Sequence, residues 1–230
     1  DERKHVYTKN NPENMRVVKR WVEVIKKRLK NLDGSLPEII CASEIITSVR
    51  SAQKVGEEIS RANCKQVIMC YNVWDFPFLV WPFINSIGRE IPILSLSNNN
   101  GKYPGNVGLL ATDGALRQTG FRTHRIVGEI EDELTQDKVF NWLRAAEALT
   151  IIKNEVYGCY GGHSMGMETG YFPLVPTIKT FGVTLRQIDQ LLLREEMKKV
   201  SEKEVEEGFN WFTKLLGKRI KYDGKMLTPE

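Results

Sequence analysis

Two stretches of this sequence put side chains that can bind ligands or hold protons beside residues that turn the chain. In the first, Tyr71-Asn72-Val73-Trp74-Asp75-Phe76-Pro77, aromatic rings and a carboxyl follow the nearly all-apolar run Gln66–Tyr71. Aromatic faces suit the C–H faces of sugars, and neighbouring polar groups can take their hydroxyls. The plainer reading of Trp74, Phe76, Phe78, Trp81 and Phe83 is core or subunit interface, and for most of them it is the better one. In the second stretch, Tyr160 to Gly170, five of eleven positions are glycine or serine, so the backbone can take conformations that other residues resist. His163 and Glu168 lie within it, but one imidazole and one carboxylate do not make a metal site. No G-x-G-x-x-G is present, and none of the three Gly-Lys pairs has the upstream glycine of a phosphate-cradling loop. On spacing alone the glycines mark a tight crossing. A third stretch, Asn98-Asn99-Asn100-Gly101-Lys102-Tyr103-Pro104-Gly105, has three amides and a lysine. They could bind hydroxyls, although a turn-rich loop explains them more simply. His5 and His124 have no partners nearby in sequence.

These stretches need elements to hold them. Asn11-Pro12-Glu13 reads as a helix start, and Met15, Val18, Trp21, Val22, Ile25 and Leu29 recur at helical spacing up to Asp33-Gly34. Pro37–Cys41 reads as a short strand, Ile46–Ile59 as an amphipathic helix, and Gln66–Tyr71 and Ile91–Leu96 as strands buried on both faces. Thr135 is placed to cap a helix carrying Val139, Phe140, Leu143, Ala146 and Leu149, which leads into a strand at Val156–Tyr160. Strands alternating with helices predict an α/β fold, a doubly wound parallel sheet followed by the start of a second α/β domain. Beyond the glycine stretch, Thr184 reads as the cap of a helix with Leu185, Ile188, Leu191 and Leu192. Ser201 and Glu204 form a capping box for another, stopped by Gly217. The expected domains are 1–155 and 156–230.

Composition narrows the class. The 230 residues are 41% hydrophobic and 27% charged with a formal charge of +4, ordinary for a globular protein. Nucleic-acid binding would need a clustered basic stripe; the five Lys and Arg between Lys214 and Lys225 read as a solvated helix end. Cys41, Cys64, Cys70 and Cys159 are widely spaced, with no C-x-x-C pair for zinc and no disulfide framework. The longest apolar stretch, Phe76–Ile84, is too short for a membrane span, which makes the cytoplasm the default compartment. Thr228-Pro229-Glu230 is a helix-opening signal at the last residues, so the sequence reads as a piece of a longer enzyme.

Gly161-Gly162-His163-Ser164-Met165-Gly166, following a strand, resembles the glycine loop of the L-fucose isomerase family, and the likeness extends over most of the chain. In that family the loop lies where the first and second domains join, and its methionine lines the sugar site; Met165 is the matching residue. The family also places a tryptophan after the strand that precedes Trp74, where it covers the sugar, often in a neighbouring subunit's site. Asp1-Glu2-Arg3 resembles the Asp-x-Arg that follows the family's first strand, a strand missing from this sequence, and Arg3 would there donate to sugar hydroxyls. The family commonly has no histidine at the position of His163, which leaves that residue a substrate-contact candidate only.

The resemblance implies interconversion of an aldose and its ketose, L-fucose and L-fuculose or D-arabinose and D-ribulose. It implies Mn2+ as cofactor, held by Glu, Asp and His, polarising O1 and O2 while carboxylates move a proton through an enediol. Those ligands belong to the part of the family that follows Glu230, so no catalytic or metal-binding residue is expected among these 230. The chain is then expected to supply substrate-covering and assembly surfaces of a homo-oligomer, a hexamer or a trimer, and to be inactive alone. The rival reading is a sugar- or ligand-binding α/β domain without catalysis. A nucleotide-binding domain would need the absent glycine fingerprint.

Overall fold

The computed structural model describes residues 4–162 and 167–219, without the side chains of 4–8, 168 and 218. The chain divides into two compact units, Asp1–Ile152 and Lys153–Glu230. The first holds helices α1 (Lys4–Arg28), α2 (Val49–Arg61), α3 (Val80–Ile87), α4 (Gly105–Gln118) and α5 (Glu133–Ile152), and strands β1 (Val67–Tyr71), β2 (Ile93–Ser97) and β3 (His124–Val127). The strands form a parallel sheet in the order β1-β2-β3, with Val67 opposite Ile93 and Leu94 opposite His124.

Alternation along the strands sends side chains to two separate cores. Val67 and Ile93 join Ala52, Val55 and Ile59 of α2, Phe83 and Ile84 of α3 and Leu116 of α4 on one face. Leu94, Leu96 and Ile126 meet Trp21, Ile25 and Leu29 of α1 and Val139, Phe140 and Leu143 of α5 on the other. Each face being covered is why β1 and β2 carry apolar residues in succession rather than every second one. The first core face also holds a buried polar chain: the Ser95 hydroxyl donates to Thr123 Oγ1 (3.1 Å), and Thr123 donates to Asp113 (2.7 Å). Arg117 and Arg125 meet Asp113 at 2.7 and 3.5 Å. Asp113 is 1% exposed, and this pairing is what allows α4 to bring a carboxylate against the sheet.

Several elements differ from the sequence expectation. Pro37–Cys41 forms no strand and belongs to neither sheet. The helix expected from Asn11 starts earlier, at Lys4, and carries Pro12 inside it; the ring removes one N–H donor without ending the helix. Asp132, not Thr135, opens α5, accepting from the backbone of Leu134 (3.2 Å) and from the hydroxyl of Thr135 (2.7 Å).

In the second unit, β4 (Val156–Tyr160) pairs in parallel with β5 (Thr184–Ile188), and α6 (Leu174–Phe181) runs between them. Thr184–Ile188 was expected to begin a helix. The partner strand offered by Val156–Tyr160 overrides the three-residue spacing of Leu185 and Ile188. The helix starts one cap later, at Asp189, which accepts from Leu191 N–H at 2.7 Å and opens α7 (Gln190–Met197). Helix α8 (Glu202–Leu216) has the expected Ser201–Glu204 capping box and ends at Gly217.

Candidate functional site

The turn after β1 sits at the carboxyl end of a parallel sheet, where open α/β folds place ligands. Its shape is set by the next βα unit. The first turn of α4 lies directly on it: a Cβ on Gly105 would overlap the Tyr71 carbonyl oxygen, and one on Gly108 would stand 2.7 Å from Asp75 N. Only glycine leaves room for helix and turn to touch. The Asn98 side chain, from the end of β2, donates to the Asn72 carbonyl at 2.8 Å and ties the two strand ends together.

Trp74 stands out from this turn, 42% exposed, with its ring edge-on to Phe76 at 5.9 Å and 86°. Phe76 in turn lies 6.1 Å from Phe78, which is 60% exposed. Phe83, by contrast, is core, and Trp81 packs partly against it. The aromatic stretch therefore divides by position, with Trp74 and Phe78 on the surface.

Asp75, beside Trp74, is the titratable group of the turn. Burial pushes its carboxyl up to about 6, offset by the Phe76 backbone N–H and the Thr112 hydroxyl, the latter 3.4 Å away. A carboxyl that changes charge near neutral pH can donate to or accept from a bound hydroxyl. Around the same strand ends, Ser97 Oγ, Asn98 Oδ1 and Asn106 Oδ1 are buried without a hydrogen-bond partner among the described residues. Unpaired acceptors and a half-buried acid next to an exposed indole make a surface suited to a polyhydroxy compound. Asp75 is the carboxyl of the stretch that the sequence offered, whereas Asn106 was not singled out by sequence. The readable signal was Gly105-x-x-Gly108, two glycines a helical turn apart, which marks a close approach.

Of the other sequence candidates, Arg3, His163 and Met165 lie outside the described residues, so the structure brings none of them to Trp74. The glycines leading into that loop are described. Gly161 and Gly162 have φ of +95° and +80°, and Gly161 N–H extends the β4–β5 pairing by donating to Ile188 O at 3.1 Å. A Cβ on Gly161 would overlap the Gln190 side chain, so the left-handed turn and the room at α7 both demand glycine.

Among the described residues no group of three or more His, Cys, Asp or Glu could hold a metal ion, so these residues do not fit the implied Mn2+. All four cysteines are free, and burial pushes the Cys70 thiol up to about 12, which keeps it unreactive. No described helix is long and apolar enough to cross a membrane.

Comparison with known proteins identifies the unit that carries this turn. Residues 1–154 match the family model described as L-fucose isomerase, first N-terminal domain. The L-fucose isomerase of Bacteroides thetaiotaomicron is 26% identical over 172 residues, covering 66% of this chain and 27% of that protein. The chain thus spans about a quarter of the length of the relative it matches. The match over residues 1–154, which coincides with the first parallel α/β unit, leads to one conclusion: the chain belongs to the L-fucose isomerase family.

Proposed function

We propose that this chain is the N-terminal part of an aldose–ketose isomerase acting on L-fucose and L-fuculose or on D-arabinose and D-ribulose, and that it covers the sugar rather than transforming it. The observation that carries the reading is Trp74, held outward by the turn after β1 beside a carboxyl that titrates near neutral pH. An indole face excludes water from one side of a bound sugar, while Asp75 and Asn98 set hydroxyl positions at its edge. In this reading the cytoplasmic enzyme is a homo-oligomer, a hexamer or a trimer, and Trp74 closes over a site completed by other residues. The reaction would draw on a divalent ion, Mn2+, held by residues outside those described. The ion would supply polarisation of the sugar's oxygens. Arg3, His163 and Met165 keep their proposed contacts with the sugar, Met165 against an apolar edge such as the C6 methyl.

The test is Trp74→Ala in the full-length enzyme. KM for the sugar should rise about tenfold, the scale of one lost aromatic contact, while the melting temperature moves by no more than about 3 °C. A fall of more than about 10 °C with unchanged KM would make Trp74 a packing residue and remove the main support for this reading. Met165→Ala adds a substrate comparison. It should lower efficiency on L-fucose more than on D-arabinose, which lacks the methyl, by about fourfold for one methyl-sized contact.

A further inference from the structure

Two polar clusters meet beneath α4, one at the Asp75 turn and one at the buried Asp113 carboxylate. Thr112 and Asp113 are neighbours on that helix, and both are fully buried. Gly108 lies one helical turn ahead of Thr112, and its missing side chain lets α4 come down onto the turn at Asp75 N. Thr112 then donates to Asp75 Oδ2 at 3.4 Å. Asp113 accepts from Thr123 at 2.7 Å and is held by Arg117 and Arg125. One side chain lies between the two clusters: Tyr71, the last residue of β1, only 7% exposed. Its hydroxyl interacts with the hydroxyls of both Thr112 and Ser95, and Ser95 continues the chain to Thr123 at 3.1 Å.

Counting donors gives this arrangement a direction. A carboxylate paired with two arginines can only accept, so Thr123 donates to Asp113 and Ser95 donates to Thr123. Ser95 Oγ is left to accept from Tyr71. On the other arm Thr112 donates to Asp75, and its oxygen is likewise left to accept from Tyr71. Burial, followed by the Asp75 and Asp113 charges, pushes the Tyr71 phenol up, so it stays a donor with a single proton. Met69 Sδ, 3.8 Å away, is a weak third acceptor. The two arms therefore compete for one proton. Given to Thr112, it strengthens the bond from Thr112 to Asp75 and favours the carboxylate; given to Ser95, it leaves Asp75 without that support. Among the described residues no charged group shifts Asp75 directly: burial pushes it up, offset by the Phe76 N–H and the Thr112 hydroxyl. On the same face β2 and α3 carry no titratable side chain, α4 contributes Asp113 and Arg117, and β3 contributes Arg125.

We propose that Tyr71 is a positioning residue for the carboxyl of the sugar-facing turn: its one proton, contested by Thr112 and Ser95, ties the orientation and charge of Asp75 to the Asp113–arginine cluster under α4. This rests on the reading that Asp75 sets hydroxyl positions of a bound sugar. A carboxylate only accepts from a sugar hydroxyl, whereas a carboxylic acid can also donate, so the Tyr71 proton biases which hydroxyl pattern the turn holds. The two neighbours of Tyr71 then act in opposite senses. Without the phenol hydroxyl, Thr112 loses its support and the Asp75 carboxyl rises further. Without the Ser95 hydroxyl, the phenol has only Thr112 and a thioether to serve, and the Asp75 carboxyl falls. Packing alone gives no such reversal of sign.

The test follows the Asp75 carboxyl by carbon-13 NMR across pH in the 230-residue chain, with Tyr71→Phe, Ser95→Ala and both together; Asp75→Asn assigns the signal. Tyr71→Phe should move the midpoint up from about 6 by about half a pH unit, the scale of one neutral hydrogen bond. Ser95→Ala should move it down by a similar amount, and should have no effect in the Tyr71→Phe background. An unchanged midpoint in a folded Tyr71→Phe protein would overturn the proposal and leave the phenol a packing residue. The same Ser95→Ala shift with and without Tyr71→Phe would also overturn it, because the arms would not meet at Tyr71. Ser95→Ala alone decides the matter where Tyr71→Phe folds poorly: no downward shift sinks the proposal. In the full-length enzyme, the pH midpoint of KM for L-fucose should move with the carboxyl in each variant. A carboxyl that shifts while the KM profile stays in place would support the Tyr71 coupling and count against Asp75 as a sugar contact. The two readings thus fail separately.

Discussion

From β1 to β2 in the first unit, and from β4 to β5 in the second, the chain makes the same move: a strand, a helix, and a parallel strand beside the first. What surrounds the move differs. In the first unit helices lie on both faces, and Ile84, Leu94, Leu109 and Leu116 reach 0% exposure. In the second, α6, α7 and α8 contain no buried residue, and Trp211 is 66% exposed. The second unit forms its elements by local means: the Ser201 box at α8, the Asp189 cap at α7, and left-handed Gly182 after α6. Caps, turns and one strand pair suffice to define elements, whereas a core needs a second layer to bury against.

The sharpest way to break this comparison is to empty one position in each unit. Leu94→Ala should cost about 3–4 kcal/mol by removing a fully buried side chain. Leu192→Ala, on α7, should cost less than about 1 kcal/mol. Urea unfolding of the 230-residue chain reads both, and equal costs would mean that the second unit has a core of its own.

Glycines give the next contrast, this time in sign. Gly105→Ala would drive a methyl into the Tyr71 carbonyl and should destabilise by about 2 kcal/mol. Gly208→Ala, within α8 and with nothing near its Cβ, should stabilise that helix by up to about 1 kcal/mol. Thermal unfolding followed by circular dichroism would separate them. Losses at both sites would show that Gly208 is packed.

The smallest contrast is one of pH, at Asp75. Its folded value of about 6 lies above its ordinary 3.8, so the folded state favours the protonated form. Its favourable contribution is fully present below about pH 4 and is lost as pH rises through about 6. Asp75→Asn should therefore stabilise the first unit by about 1–2 kcal/mol at pH 7, with the advantage shrinking toward pH 4. Melting temperatures of both proteins across that range check it. A constant difference between them would mean that burial does not control this carboxyl.

How far the sequence could be read follows from the same contrast. β1 and β2 were legible because two-sided burial leaves an unbroken apolar run, and α8 because its capping box is a local pattern. β5 was misread because its identity depends on β4, nearly thirty residues away. β3, with His124 and Arg125 at its start, was not anticipated, because its place is set by pairing with β2 rather than by its own apolar pattern. At the candidate site, the family resemblance pointed to Trp74, and the structure adds that its side chain is 42% exposed. The Asp75 carboxyl was in view in the same stretch, but its altered acidity was not, since that comes from burial in the folded chain.

The contact between α4 and the turn after β1 has a consequence for how relatives can diverge. Residues 98–104 join β2 to α4, and α4 rests on the turn that aims Trp74. A change in the length or shape of that loop would therefore move the indole without touching it. The chain could retune what fits beneath Trp74 by altering a neighbouring hinge, provided Gly105 and Gly108 stay as they are. Under the proposed function, selectivity would then drift through insertions at residues 99–104, beyond the one residue of that loop, Asn98, that the proposal sets at the sugar's edge.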